Sequence, residues 1–283
     1  MKKLIQPHIM CGIGDAAKYV LIPGDPRRVD VIASFLDESR KVADYRGFVT
    51  YTGHKNDVGI TVTSSGIGCP SAAIAVEELA RIGAKVFIRV GTTGALQKEV
   101  NMGDLVIAAA AVRADGTSKN YVPCEFPAVA DFTVAASLLQ AAKKSKLKTH
   151  FGLVLSSDAF YENHENLRRW SKFGVLSVEM ETSVIYTVAA LKRLKAGSIL
   201  AVDGNPLLGF GKGEFEPGEK TGELDERVKD AIKEEAKVAI DSIMIMEKNP
   251  ELGSEEQKQP FQMFRQLSMG YRLAVDYSFS YGL

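Results

Sequence analysis

Five apolar, strand-like runs in this sequence end in a turn or a helix start that carries residues able to do chemistry. They are IPGDPRR at 22–28, SSGIGCPSAAIAVEEL at 64–79, RVGTTGA at 89–95, LSVEMETS at 176–183 and SILAVDGNP at 198–206. Ligands of open α/β sheets bind in the crevice outside the carboxyl ends of the strands. We therefore expect these five junctions to form one site.

Two of the junctions contain the glycine and arginine types that hold anions. Gly24 lets the backbone approach an anion closely, and Arg28 supplies a planar donor fork for phosphate, although GDP alone also suits an ordinary turn. Gly66 and Gly68 can place a cradle of amides at a helix N-terminus, or simply allow tight packing. The run matches neither a dinucleotide fingerprint nor a Walker loop, because it lacks the third glycine and the Gly-Lys-Ser/Thr sequence.

Arg89 stands inside a strand that its neighbours predict to be buried. A buried cation is costly unless an acid or an anion meets it. We therefore expect Arg89 to pair either with Glu77 or Glu78 on the preceding helix, or with bound phosphate.

Acidic residues end the other two runs. Glu179 and Glu181 would begin a helix, where acids favour the helix dipole, but a carboxylate there can equally accept hydrogen bonds from vicinal sugar hydroxyls, with Met180 as an apolar floor. Asp203 ends an apolar strand, which disfavours the charged carboxylate and favours a neutral acid that can donate a proton. The alternative for Asp203 is a turn former before the following Gly-Asn.

The elements that position these junctions alternate between short apolar strands and amphipathic helices. This pattern predicts an α/β fold, with a single three-layer α/β/α domain over 1–248 whose mixed, mostly parallel twisted sheet is flanked by helices. A polar, proline-bounded stretch at 249–260 begins a C-terminal extension, 249–283, that contains no recognisable motif. Strands are predicted at 19–25, 59–66, 85–91, 103–116 and 150–158, helices at 71–83, 131–145 and 222–247, and helix, strand, helix and strand within 163–202.

Composition narrows the class of protein. Of 283 residues, 46% are hydrophobic and 25% charged, which is ordinary soluble usage. Lys plus Arg equals Asp plus Glu at 35 each, so neither nucleic acid nor anionic lipid is an expected partner. The N-terminus lacks a signal-peptide core and no run is long enough for a membrane helix, so we expect a cytoplasmic protein. The three cysteines and four histidines are scattered, which predicts reduced thiols and no metal site.

Read together, the motifs resemble the hexameric nucleoside phosphorylase family, which includes uridine phosphorylases and bacterial- and parasite-type purine nucleoside phosphorylases. The likeness covers about residues 6–247, and its longest match is S-x-G-I-G-x-P-S-x-A-I-x-x-x-E-L at 64–79. PGDPRR, RVGTTGALQ, VRADGTS, EFPAVADF, SSDAFY and VEME follow the expected order.

The resemblance implies reversible, phosphate-dependent cleavage of a ribonucleoside to free base and ribose 1-phosphate, with inorganic phosphate as co-substrate and no cofactor. It implies a homohexamer, a trimer of dimers, in which His8 and Arg46 complete the site of a neighbouring subunit. Asp203 would be the catalytic acid that protonates purine N7. The implied phosphate ligands are Gly24, Arg28, Arg46, Arg89, Val90, Gly91 and Thr92; the ribose ligands are His8, Glu179, Met180 and Glu181; the base ligands are Phe160, His164, Asn166, Val178 and Asp203.

The segment after SSD-x-FY predicts which base the enzyme releases. Uridine phosphorylases carry a Gln and an Arg there, two residues apart, whereas this sequence has His164 and Asn166. This difference favours 6-oxopurine nucleosides such as inosine and guanosine. RVGTTGALQ, VRADGTS and EFPAVADF resemble the uridine branch, so uridine stays an alternative, as do a hydrolytic nucleosidase of the same fold and a noncatalytic nucleoside-binding protein. An arginine that would assist Asp203 is not identified within 211–228.

Overall fold

The computed structural model describes residues 5–209 and 225–249. The C-terminal extension predicted from 249 onward therefore lies outside the described residues, apart from Asn249. So does most of 211–228, where an arginine assisting Asp203 was sought. Arg227, at the described end of that segment, pairs with Asp225 at 2.9 Å.

The described chain alternates strands and helices as the sequence predicts. The strands are β1 (Tyr19–Ile22), β2 (Asp37–Tyr45), β3 (Phe48–Lys55), β4 (Val58–Thr63), β5 (Val86–Ala95), β6 (Leu105–Ala114), β7 (Ala128–Val129), β8 (Thr149–Ser157), β9 (Ser177–Glu179) and β10 (Lys195–Gly204). The helices are α1 (Pro26–Ala33), α2 (Cys69–Arg81), α3 (Thr117–Tyr121), α4 (Phe132–Ala142), α5 (His164–Lys172), α6 (Thr182–Leu191) and α7 (Glu226–Lys248). No helix in these described ranges has the length and apolar character needed to cross a bilayer.

The central strands are buried on both faces, which makes the fold three layers deep. In β1, Tyr19 and Leu21 face one hydrophobic cluster while Val20 and Ile22 face the other. The first cluster is completed by α1, α4 and α7 and the second by α2 and α6. Near-continuous apolar runs are what such doubly covered strands require, so the predicted α/β fold with a mixed sheet flanked by helices is confirmed.

The sheet changes neighbours at β5, which positions the site. Its order is β10-β6-β8-β9-β5-β1-β4-β3-β2, and β10 also pairs with β5, so five of the strands close into a ring. On one edge, β5 pairs with β1 up to Arg89 and with β9 only from Gly94. In the described sheet the residues between them have β10 on one side and no strand on the other. A crevice opens where strands diverge in this way.

The region 26–55 has elements that the sequence analysis did not assign. α1 begins with Pro26 and is capped by the Asp25 side chain, which accepts a hydrogen bond from the Arg27 amide. The strand β2 is charged and largely exposed, and register shifts interrupt its pairing with β3, so its side chains show no apolar alternation.

Candidate active site

A cavity of about 1040 Å³ lies at the carboxyl ends of β1, β4, β5, β8, β9 and β10, and all five junctions identified in the sequence contribute to its wall. Most of the predicted site residues line it. They are Gly24, Arg28, Arg89, Gly91, Thr92, Phe160, His164, Val178, Glu179, Met180, Glu181 and Asp203.

Arg89 is the buried charge at the centre of this wall, with 4% of its side chain exposed. Its Nε donates to Glu179 Oε2 at 2.8 Å, and its Nη2 pairs with Glu181 Oε2. Burial lowers the pKa of Arg89, but the two carboxylates raise it by more, so the guanidinium stays protonated. Nη1 is buried and has no hydrogen-bond partner among the described residues. One donor group of the guanidinium is thus left unsatisfied by the described residues.

The expected pairing of Arg89 with Glu77 or Glu78 is therefore wrong. Glu78 accepts instead from the backbone amides of His8 and Ile9 and contacts the His8 ring, and Glu77 pairs with Lys192 at 2.7 Å. Both glutamates lie on α2, whereas the acids that reach Arg89 come from the β9–α6 junction beside the end of β5.

Glu179 is fully engaged by protein groups. Its Oε2 accepts from Arg89 and from the amides of Glu181 and Thr182, each of these two at 2.9 Å, and its Oε1 accepts from the Ser156 hydroxyl. The carboxylate therefore satisfies the first amides of α6, as an acid at a helix start should. In this geometry Glu179 positions Arg89, and its predicted contact with ribose stays a prediction.

Glu181 bridges Arg89 and the glycine turn before α2. Its Oε1 accepts from the Gly68 amide at 2.6 Å, and burial raises the pKa of its carboxyl, while Arg89 opposes the shift. The Gly66 amide donates to the Gly24 carbonyl at 3.1 Å. The proposed amide cradle for an anion at Gly66 and Gly68 is thus corrected, since both amides have protein acceptors.

Gly91 makes room for the guanidinium. A Cβ on Gly91 would lie 2.9 Å from Arg89 Cζ, because residues 89 and 91 share a face of β5. Val90 points the opposite way, into the core formed with α1, α4 and α7. The predicted contact of Val90 with phosphate therefore stays a prediction for its backbone.

Arg28 forms the second cationic part of the wall. Its side chain is 12% exposed and extends from α1 towards the buried Glu235 on α7, with Nη1 3.9 Å from Glu235 Oε1. Glu235 is absent from the sequence-based site. It lies on the apolar stripe of α7 between Ile232 and Ala239, and a charged residue in that stripe was the signal that could have identified it.

Another part of the cavity wall is aromatic and exposed. Phe160 and Tyr161 are 54% and 89% exposed and pack edge to face, with their ring centroids 5.1 Å apart. His164 begins α5 beside them. Asn166 is not among the residues that line the cavity, and its amide donates back to Glu162, four residues earlier, so its predicted role at the base stays a prediction. Tyr161 and Glu162 line the cavity and were missed by the sequence analysis.

Asp203 reaches the cavity through an irregularity in β10. Val202 pairs with Thr93 and Gly204 with Gly94, so Asp203 is an extra residue opposite β5. Such a bulge re-aims a side chain and is common beside active sites. Asp203 is half-buried there, so the strand delivers it to the rim rather than enclosing it.

His8 and Arg46 do not line the cavity of their own chain. The His8 Nδ1 lies 2.6 Å from Glu78 Oε1. Arg46 is exposed in the turn between β2 and β3, over the Tyr45 ring. Within the described ranges, no group of three or more His, Cys, Asp or Glu side chains is arranged to hold a metal ion.

Comparison with known proteins agrees with this geometry. Residues 18–243 match the Phosphorylase superfamily, and the chain belongs to that family. It is 40% identical over 239 residues to a guanosine phosphorylase of Halorubrum lacusprofundi, covering 84% of this chain and 98% of that protein. It is 46% identical over 223 residues to a uridine phosphorylase of Thermococcus kodakarensis, covering 74% and 80%.

A solved structure is similar over nearly the whole described body. It is the purine nucleoside phosphorylase of Toxoplasma gondii in complex with immucillin-H, with a TM-score of 0.79 and 31% identity. The match covers 88% of this chain and 99% of that one. Relatives of this chain thus include proteins named for purine and for pyrimidine nucleosides.

Replacing Glu179 by Gln should lower the free energy of unfolding by about 3–5 kcal/mol, because Arg89 would stay buried with one carboxylate and only one of the two side-chain oxygens would remain to accept from Arg89, Ser156 and the amides of Glu181 and Thr182. Urea denaturation of the full-length variant measures this change. Glu226→Gln, a change of the same kind at an 81% exposed side chain, should leave stability unaltered. Equal stability of the two variants would contradict the structural role of Glu179.

Proposed function

We propose that this protein is a nucleoside phosphorylase in which inorganic phosphate displaces the base from C1′ of a ribonucleoside, with 6-oxopurine nucleosides favoured. The observation that carries the proposal is the buried Arg89, which lines a cavity together with Glu181 and Asp203 and whose Nη1 has no hydrogen-bond partner among the described residues. An anion, a sugar and a base can thus occupy adjacent parts of one hollow.

The phosphate end is the cationic wall. Arg28 and Arg89 supply charge-assisted donors, and Gly24 and Gly91 keep the surface free of side chains so that the anion can approach. Two fixed guanidinium groups orient the phosphate oxygen towards C1′ before reaction, which lowers the entropic part of the barrier. Inorganic phosphate is the only co-substrate in this proposal, and no cofactor takes part.

The sugar lies next to phosphate, against Glu181 and Met180. Beyond its bonds to Gly68 and Arg89 and its contact with the Met180 backbone, the Glu181 carboxylate keeps acceptor capacity for a ribose hydroxyl. A phosphate oxygen forms the new bond to C1′ as the C1′–N bond breaks. The electron pair of the broken bond leaves with the base, and the sugar passes through an oxocarbenium-like state that the neighbouring dianion stabilises.

The departing base needs a proton, and Asp203 supplies it to purine N7 in this proposal. Its bulged position on β10 directs it to the cavity rim, near the aromatic loop that contains Phe160 and Tyr161. His164 stands where uridine phosphorylases carry part of their uracil-reading pair. The similarity to a guanosine phosphorylase over 98% of that protein supports the purine preference.

Uridine is the second candidate substrate, and a specific observation favours it. The uridine phosphorylase of Thermococcus kodakarensis has the higher identity of the two relatives, 46%. The scaffold of the phosphate end, including the RVGTTGALQ run on β5, resembles that branch. We therefore expect uridine to be cleaved as well, although more slowly than inosine.

The proposal includes a homohexamer in which His8 and Arg46 serve a neighbouring subunit, His8 at the ribose 5′ hydroxyl and Arg46 at phosphate. Neither residue is among those that line the cavity of its own chain, as expected of residues that serve another copy. Glu78 holds the His8 ring by Nδ1, which leaves Nε2 for such a contact.

Product release should depend strictly on phosphate. Hypoxanthine from inosine and uracil from uridine, each measured with and without phosphate, should form only with phosphate and together with ribose 1-phosphate. Equal release without phosphate would identify a hydrolase, since a hydrolase activates water and has no use for the cationic wall. Ligand binding without any turnover would identify a noncatalytic nucleoside-binding protein.

Asp203→Asn should lower kcat for inosine by about 10²–10⁴-fold, because the leaving purine loses its proton donor. The loss for uridine should be smaller, since a pyrimidine has no N7. Steady-state kinetics on both nucleosides measure the difference, with Asp230→Asn, on the exposed side of α7, as the matched control. Equal losses for inosine and uridine would contradict protonation at N7.

A further inference from the structure

Glu235 is a fully buried acid behind the phosphate end of the cavity. Its side chain is 0% exposed, and neither carboxylate oxygen makes a hydrogen bond of standard geometry among the described residues. It stands on the buried face of α7 among Ile232, Ala236 and Ala239. An ionised carboxylate in such a place is costly unless a cation compensates it.

The compensating cation comes from the wall of the cavity. Arg28 Nη1, from α1, lies 3.9 Å from Glu235 Oε1. Both Arg28 and Arg89, which belongs to β5, lower the pKa of this carboxyl. Asp203, from β10, raises it. The helix α4 also packs on α7, and its sequence FTVAASLLQAA contains no charged residue. Glu235 is thus coupled to the two arginines proposed to bind phosphate.

We propose that Glu235 is a positioning residue that holds Arg28 at the cavity wall when the site is empty and takes up a proton when phosphate binds. This inference rests on the proposed function. In the empty site, Glu235 is the carboxyl nearest to Arg28 among the described residues. When phosphate binds, the dianion replaces Glu235 as the group that pairs with Arg28. It also places further negative charge near the buried carboxyl of Glu235.

The direction of the effect follows from charge. Burial already raises the pKa of Glu235 well above its usual range, with Arg28, the Ala201 amide and Arg89 lowering it by less. A bound dianion both screens the arginines and repels the carboxylate, so the pKa of Glu235 must rise further. A group that binds protons more tightly in the complex makes phosphate affinity fall as pH rises through its pKa in the free protein.

The test is calorimetric titration of full-length protein with inorganic phosphate, in buffers of different ionisation enthalpy, over a series of pH values. The wild type is compared with Glu235→Gln and with Glu234→Gln, the same change at the neighbouring position, whose side chain is 28% exposed. The ionisation of phosphate itself contributes equally to all three proteins. The difference between wild type and Glu235→Gln therefore reports Glu235 alone.

We expect wild type and Glu234→Gln to take up more protons per phosphate than Glu235→Gln, by at most about one. Glu235→Gln, which mimics the protonated acid, should bind phosphate at least as tightly as wild type at alkaline pH, with a flatter pH dependence. Equal proton uptake in wild type and Glu235→Gln would overturn the inference. So would loss of phosphate binding in a folded Glu235→Gln.

A second measurement needs no variant. Infrared difference spectra of wild-type protein, phosphate-bound minus free, should gain a protonated-carboxyl C=O band within the same pH series. Absence of that band at every pH would overturn the inference even if Glu235→Gln failed to fold. If wild-type protein did not bind phosphate at all, the proposed function would fail first, and this inference with it.

Discussion

The buried ion cluster of Arg89 with Glu179 and Glu181 is the interaction on which the rest of the structure depends. A guanidinium inside a sheet is tolerated only when its charge and its donors are met. Here both acids come from the β9–α6 junction, which pairs with the end of β5. The cluster thereby fixes the start of α6, the Gly68 turn before α2 and one wall of the cavity together.

The cluster leaves one donor of Arg89 without a partner among the described residues, and this unsatisfied donor makes the wall suited to an anion. One guanidinium faces two carboxylates, yet its Nη1 has no hydrogen-bond partner among the described residues. Nearby, Arg28 meets Glu235 only at 3.9 Å. The wall therefore combines unsatisfied donors with carboxyls whose charge is costly to keep. Such an arrangement suits a ligand that brings its own two negative charges and lets the protein adjust by protonation.

The sequence predicted which segments converge at the site, but it did not predict the hydrogen bonds and ion pairs between their residues. Buried strands that end in Gly24, Arg89, Glu181 and Asp203 implied a common edge, because carboxyl ends of strands meet there. The partners of Arg89 were missed, since the pairing of β5 with β9 joins residues far apart in the chain and leaves no local pattern. The bulge that directs Asp203 is equally invisible, because it depends on register between β10 and β5. Of these missed features, only Glu235 could have been identified from the sequence, because it is a charged residue in the apolar stripe of a helix.

The most direct measurement of the central claim is phosphate binding by Gly91→Ala. The added methyl would lie 2.9 Å from Arg89 Cζ and must displace a guanidinium held by two acids. We predict a rise of at least about tenfold in the phosphate dissociation constant, or about 1.4 kcal/mol, with the fold intact. Gly116→Ala, where the nearest atom is 3.5 Å from the new Cβ, should bind as wild type does. Unchanged phosphate affinity in a folded Gly91→Ala would contradict Arg89 as the seat of the anion.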